Sequence, residues 1–244
     1  MVSGTNKGEI LDAIVTSKVG RLLEPMAQVT GHRQANSLRH EYSRMLTLAW
    51  NFVRSEKVEG DYAEFGTYTG RTFVESWRIA AVLGEAGRRR LFAFDSFEGL
   101  PQMEGIDDTG RWDAGDFGVG RRDFEARLRR ARIPRDHVHI VEGFYDKSLA
   151  EPERIPLGKV SIAWVDCDLY ASTVPVLEFL TPRLAQGSIL LFDDWFCFKG
   201  DPERGEQRAC REWLERNPEL SLINWRTFTW SGQAFIVRRA GDDS

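Results

Sequence analysis

The chain has little cysteine and places it in no metal-binding pattern. Cys167, Cys197 and Cys210 are the three thiols in 244 residues, an odd number without C-x-x-C spacing. This argues against zinc and against a disulfide framework, and leaves free thiols in a reducing compartment, the cytoplasm, as the expectation. No apolar run approaches the roughly 18 residues that a spanning helix needs. The segment Met1–Gly8 is polar, so no secretory signal is expected there. A basic excess is also missing: 33 Lys and Arg stand against 37 Asp and Glu, for a net charge of −4. No global field attracts nucleic acid, and the runs Arg88–Arg90 and Arg127–Arg132 read as a solvated turn and an exposed helix face. Neither nucleic acid nor membrane is an expected partner.

What is present is an α/β pattern. Residues 9–57 carry apolar positions at helical spacing, among them Ile10, Ile14, Leu22, Leu38, Met45, Leu48 and Phe52. Two or three helices are expected, making residues 1–57 a helical extension or lid. From Gly60 onward short apolar strands alternate with helices, which predicts a mostly parallel sheet covered on both faces. Strands are expected at Tyr62–Phe65, Leu91–Phe94, Val138–Val141, Val160–Val165, Ser188–Phe192, Leu220–Trp225 and Ala234–Val237. Helices fit at Thr72–Leu83, Asp123–Arg132, Thr173–Arg183 and Gly205–Arg216. The last two strands leave no room for a helix and should form a hairpin turning near Trp230-Ser231-Gly232. The stretch Glu98–Gly120 is long, Gly- and Asp-rich and weakly apolar, as functional or mobile loops are. Apolar faces on the N-terminal helices lead to the expectation of a homo-oligomer.

The first constellation is Glu64-Phe65-Gly66-Thr67-Tyr68-Thr69-Gly70, which ends the first strand and opens a helix. Glycines permit a tight turn and close approach to a ligand, and the helix start offers free N–H groups to a carboxylate. An acid at the strand end suits an ammonium group. The pattern E-x-G-x-x-x-G departs from the dinucleotide G-x-G-x-x-G and matches a zwitterionic amino-acid moiety such as that of S-adenosylmethionine better than a pyrophosphate. Asp95 ends the second strand, where an acid accepts hydrogen bonds from both ribose hydroxyls; alternatively Asp95 or Ser96 caps a following helix. Candidate cofactor residues are Glu64, Gly66, Thr67, Tyr68, Gly70, Thr72, Asp95, Ser96, Gly143, Phe144 and Asp166.

The second constellation is acidic. Val160–Val165 runs into Asp166-Cys167-Asp168, and Ile189–Phe192 into Asp193-Asp194. Open α/β sheets bind ligands at these carboxyl ends. Adjacent carboxylates raise each other's pKa unless a cation intervenes, and no Lys or Arg stands among them in sequence. A hard cation such as Mg²⁺ fits oxygen donors; the alternative is helix capping by Asp168 and Asp194.

These residues together resemble the macrocin O-methyltransferase family, the TylF-like enzymes. The resemblance runs from about Arg39 to the end. It is carried by Glu64-Phe65-Gly66 with Gly70, by Phe94-Asp95-Ser96-Phe97-Glu98-Gly99-Leu100-Pro101, by Asp166-Cys167-Asp168-Leu169-Tyr170 with Ser172-Thr173, and by Phe192-Asp193-Asp194. It implies a class I methyltransferase fold, a Rossmann-like seven-strand sheet ending in an antiparallel hairpin, over residues 58–244. It further implies S-adenosylmethionine, Mg²⁺ and methyl transfer to a hydroxyl of a small-molecule acceptor such as a natural-product sugar. By motif position Asp166, Asp193 and Asp194 match the metal ligands. Catechol-type methyltransferases, a wider similarity, have a base lysine where this chain has Leu169, and Asn where it has Asp194, so their mechanism does not transfer whole. Asp166 is the candidate proton acceptor; His32, His40, His137 and His139 offer no better one. The loop Glu98–Gly120 and the N-terminal helices are expected to cover the acceptor, with Trp112, Phe117 and Trp195 available for stacking or plain packing. A phenol, carboxylate or phosphonate oxygen as acceptor, or a non-catalytic partner protein on the same fold, are the competing readings.

Overall fold

Aromatic and β-branched runs form seven strands in the computed structural model, which describes residues 40–241. The helices expected before residue 40 lie outside the described residues. The first described helix, α1, covers residues 40–55. Met45, Leu46, Ala49, Trp50 and Val53 make one buried stripe along it. The elements that follow are β1 (Asp61–Phe65), α2 (Arg71–Val82), β2 (Leu91–Asp95), α3 (Arg121–Arg130), β3 (Val138–Glu142), α4 (Tyr145–Ser148), β4 (Val160–Val165), α5 (Tyr170–Leu180), β5 (Leu184–Phe192), α6 (Gly205–Arg216), β6 (Leu220–Phe228) and β7 (Gly232–Arg239).

The sheet order is β3-β2-β1-β4-β5-β7-β6. The first five are parallel; β7 runs antiparallel between β5 and β6, and β6–β7 is the expected hairpin. Alternation places successive side chains of each strand on opposite faces. One face carries Tyr62, Leu91, Ala93, Ile162, Trp164, Ile189 and Leu191 and buries the α1 stripe with Phe73 and Phe124. The other carries Ala63, Phe65, Phe92, Phe94, Ala163, Val165 and Phe192 and packs on Val176, Leu177, Leu180 and Trp213 of α5 and α6. Both faces are covered, so the strands read as unbroken apolar runs rather than alternating ones. Helix α1 shares a core with the sheet, and the compact unit that holds them begins at Tyr42.

Two differences from the sequence reading have local causes. Strand β5 starts at Leu184 rather than Ser188 because Gly187, at φ +81°, lets the strand bend instead of ending it. Helix α4 is four residues long, too short for a periodic signal. Among the described residues no helix is long and apolar enough to cross a membrane.

Candidate active site

The parallel ladder continues one rung past the strand ends. Gly143 N–H donates to the Asp95 carbonyl, Gly66 N–H to Phe94, Asp166 N–H to Phe65 and Asp193 N–H to Val165, all at 2.8–2.9 Å. Residues from β3, β2, β1, β4 and β5 therefore stand in one line across the carboxyl edge of the sheet. The strand order reverses between β1 and β4, where such sheets open a crevice for ligands. Most of the sequence-derived candidates fall on this line or directly after it.

The cradle half is closed by backbone. Gly66 has φ +87°, and a Cβ there would lie 1.9 Å from the Asp166 carbonyl oxygen. Gly70 has φ +70°, and a Cβ there would meet the Phe124 ring at 2.7 Å. Asp95 organises the turn between them. Its Oδ2 accepts Thr67 N–H at 2.7 Å, the Thr67 hydroxyl at 3.0 Å and Tyr68 N–H at 3.0 Å. Its Oδ1 accepts Phe97 N–H at 2.7 Å. A carboxylate accepts about four hydrogen bonds, two per oxygen. Oδ2 carries three of these donors and Oδ1 one, so the less occupied Oδ1 is the oxygen open to a further donor. No helix follows Asp95, and Ser96 instead bonds within its own turn, to the Gly99 carbonyl and from Glu98 N–H. Gly143 and Phe144 open α4 at the end of β3, and Thr72 lies in the first turn of α2.

Glu64 is completely buried. Its Oε2 accepts the Tyr62 hydroxyl, while Oε1 has no donor. Burial pushes its carboxyl well above the usual range, partly opposed by that hydroxyl. Trp164, its register neighbour on β4, has an indole N–H that is likewise buried without a partner. The two residues share one face of the sheet.

The acidic half is different in kind. Carboxylate oxygens of Asp166, Asp168 and Asp194 lie within 4.8 Å of one another. The sequence reading named Asp193 rather than Asp168 as the third ligand; Asp193 lies outside this group, next to Asp194 in the chain, and its Oδ2 accepts the Tyr42 hydroxyl at 3.1 Å while its Oδ1 is buried without a donor among the described residues. Asp194 accepts the Cys197 thiol on Oδ1 at 3.0 Å and has an unpartnered Oδ2. Glu206 of α6 brings a fifth carboxyl, accepting Asp194 N–H at 3.0 Å. Burial and mutual repulsion push Asp166 and Asp168 well above the carboxylate range. Burial, then Asp194, push Asp193 up to about 8, while the Tyr42 hydroxyl opposes the rise. Oxygen-only donors, three of them close together and several unsatisfied, fit a hard divalent cation.

Sequence reasoning did not find Tyr42, Glu206 or Arg111. Arg111 corrects the expectation that no basic residue joins the cluster: its guanidinium donates to Cys197 Sγ at 3.6 Å and partly opposes the rise that burial imposes on the Asp168 and Asp194 carboxyls. It comes from the long loop, stacked on Trp112 and Phe198, and no local pattern marks it. Nor do Asp168 and Asp194 cap helices. The start of α5 is capped by Asp107, which accepts Tyr170 N–H at 2.8 Å and Ala171 N–H at 2.9 Å. Asp107 is buried and lies 63 residues from Tyr170, so the loop is tied down at its middle. The Arg204 guanidinium adds a bond to the Ile106 carbonyl. Trp195 packs on Phe192 and Phe235 in the core. Phe117, 47% exposed, meets Tyr68, 50% exposed, edge to face beside the cradle. Leu169, where a base lysine would stand in catechol-type enzymes, is buried.

The profile of the macrocin-O-methyltransferase (TylF) family matches residues 37–230. The chain belongs to this family. A Streptomyces olivaceus enzyme, 8-demethyl-8-(2,3-dimethoxy-alpha-L-rhamnosyl)-tetracenomycin-C 4'-O-methyltransferase, is 29% identical over 149 residues, 59% of this chain and 56% of that one. Mycinamicin III 3''-O-methyltransferase of Micromonospora griseorubida is 23% identical over 75% of this chain and 66% of its own length. The chain thus spans less than two thirds of either relative. Among solved structures, the calicheamicin methyltransferase CalS11 superposes with a TM-score of 0.65 at 23% identity, covering 99% of this chain and 95% of that one. The fold is that of the class I O-methyltransferases.

Proposed function

We propose that this protein transfers the methyl group of S-adenosylmethionine to a hydroxyl oxygen of a small natural product, a sugar hydroxyl being the favoured acceptor, and that it requires a divalent cation such as Mg²⁺. Family membership supports the reaction class. Two relatives named for methylation of tetracenomycin and mycinamicin at sugar-type primed positions, and CalS11, described as a TDP-rhamnose 3'-O-methyltransferase, support the acceptor class. The single observation that carries the cation is the set of buried, donor-free oxygens on Asp193 and Asp194 next to the Asp166–Asp168–Asp194 cluster.

In this reading Glu64, with its free Oε1, receives the cofactor's ammonium, and the turn Gly66–Gly70 receives its carboxylate. The remaining lone pair on Asp95 Oδ1 takes one ribose hydroxyl. Ser96, Gly143 and Phe144 line the same edge. Asp166, Asp193 and Asp194 hold the cation, with Asp168 close enough to join them. When bound, the cation supplies a Lewis acid that directs an acceptor hydroxyl and lowers its pKa. Displacement at a sulfonium methyl is mainly a positioning task, and Asp166 is shared by the two halves: its carbonyl walls the cradle while its carboxylate joins the cluster. That makes it the best placed acceptor for the hydroxyl proton.

The test is methyl transfer from labelled S-adenosylmethionine to a panel of nucleotide sugars, glycosides, phenols, carboxylates and phosphonates, with Mg²⁺ and with EDTA. Turnover of sugar hydroxyls that EDTA abolishes supports the proposal. Turnover confined to another oxygen class replaces the acceptor; full turnover in EDTA removes the cation. A chain that binds no S-adenosylmethionine is a non-catalytic relative.

A further inference from the structure

Four of the five clustered carboxyls come from the ends of β4 and β5, but the fifth, Glu206, comes from a helix and lies 12 residues after Asp194. Glu206 lies in the first turn of α6 and is 1% exposed. Its approach is set by Gly205, at φ +49°, where a Cβ would press into the Phe198 ring at 2.8 Å. The helix therefore starts hard against the turn that follows Asp194. Oε2 of Glu206 accepts the main-chain N–H of Asp194 at 3.0 Å, fixing the turn that carries Asp193 and Asp194. Oε1 is buried with no donor among the described residues, and repulsion from Asp194, Asp193 and Asp168 adds to burial in raising the Glu206 carboxyl. A buried carboxylate oxygen left without a donor is costly. A core role explains Oε2 alone; it leaves Oε1 unexplained.

We propose that Glu206 is a positioning residue of the cation site. It holds Asp194 through the main chain and offers its second oxygen to a water in the cation's shell. This rests on the divalent-cation reading above. Outer-shell partners of this kind orient ligands, and losing one weakens metal affinity roughly 10- to 100-fold.

The test uses the full chain stripped of metal, titrated with Mn²⁺ and followed by electron paramagnetic resonance. Glu206→Gln is the informative variant: its amide oxygen still accepts Asp194 N–H, while its amide NH₂ takes the place of the free acceptor. The expected result is Mn²⁺ affinity weakened roughly 10- to 100-fold, unchanged calorimetric affinity for S-adenosylhomocysteine, and a cooperative melt. Glu206→Ala should weaken Mn²⁺ at least as much; if it fails to fold, the Gln variant decides alone. Mn²⁺ binding by Glu206→Gln as tight as in the parent overturns the proposal and leaves Glu206 a structural acceptor. A parent chain that takes up no Mn²⁺ at millimolar concentration overturns the cation reading itself, and Glu206's role with it.

Discussion

Asp95 and Asp193 end strands of one sheet, yet their oxygens meet opposite circumstances. Asp95 has four protein donors, three of them main-chain N–H groups from the turns it organises. Among the described residues Asp193 has one, a hydroxyl from α1, and its other oxygen is buried with nothing to accept from. The turn between β1 and β2 is set by glycines at positive φ and by a carboxylate with four protein donors. The cluster between β4 and β5 gathers five carboxyls against, among the described residues, one nearby guanidinium, Arg111. The first pattern is that of preorganised backbone that a ligand enters. The second is stable at neutral pH only with protons or a cation in place.

The largest effect should come from the one residue that both halves share a wall with. Gly66→Ala adds a Cβ at positive φ and 1.9 Å from the Asp166 carbonyl oxygen. It should cost more than about 3 kcal/mol and impair S-adenosylhomocysteine and cation binding together, read by thermal melts and calorimetry. If only one ligand is affected, the halves are not coupled through this contact. Next is Asp95→Ala. Charge-assisted hydrogen bonds lost from the cradle turn cost ~1.5–3 kcal/mol each, so S-adenosylhomocysteine affinity should fall at least tenfold while cation affinity stays unchanged. An unaltered dissociation constant would remove Asp95 from the cofactor site.

The acidic half predicts a pH response. With the Asp193 carboxyl near 8 in the folded chain and 3.8 as its ordinary value, the folded state retains protons that the unfolded state has released across that window. Stability of the cation-free protein should therefore fall as pH rises from about 5 to about 8, and Mg²⁺, replacing those protons, should flatten the slope. A melting temperature that rises with pH in EDTA contradicts the assignment. The smallest effect is expected at Asp107→Ala, which uncaps α5 and frees the loop Glu98–Gly120. About 1–2 kcal/mol of stability should be lost, with faster amide exchange at Tyr170 and Ala171.

Much of this was legible in the chain itself, for a physical reason. Strands buried on both faces write unbroken apolar runs such as Val160–Val165, and the candidate groups at their carboxyl ends follow directly in sequence. Glu64, Gly66, Asp95, Asp166 and Asp193 could all be read that way, and the structure sets the last four beside one another along one edge. What could not be read arrives by tertiary contact. Tyr42 reaches Asp193 across 151 positions, Asp107 caps α5 across 63, and Arg111 joins the cluster from a loop without periodicity. Local patterns report a residue's neighbours in the chain; they carry no signal for a side chain delivered by a distant loop or helix.

The most direct test of two halves with separate ligands is a calorimetric pair on the metal-free chain. Mg²⁺ and S-adenosylhomocysteine are titrated separately into the parent and into Asp193→Asn. The parent should bind one cation and one cofactor analogue per chain, and the variant should lose the cation while keeping the analogue at its original affinity. A parent that binds S-adenosylhomocysteine but takes up no Mg²⁺, or a variant that binds Mg²⁺ as the parent does, would contradict the account.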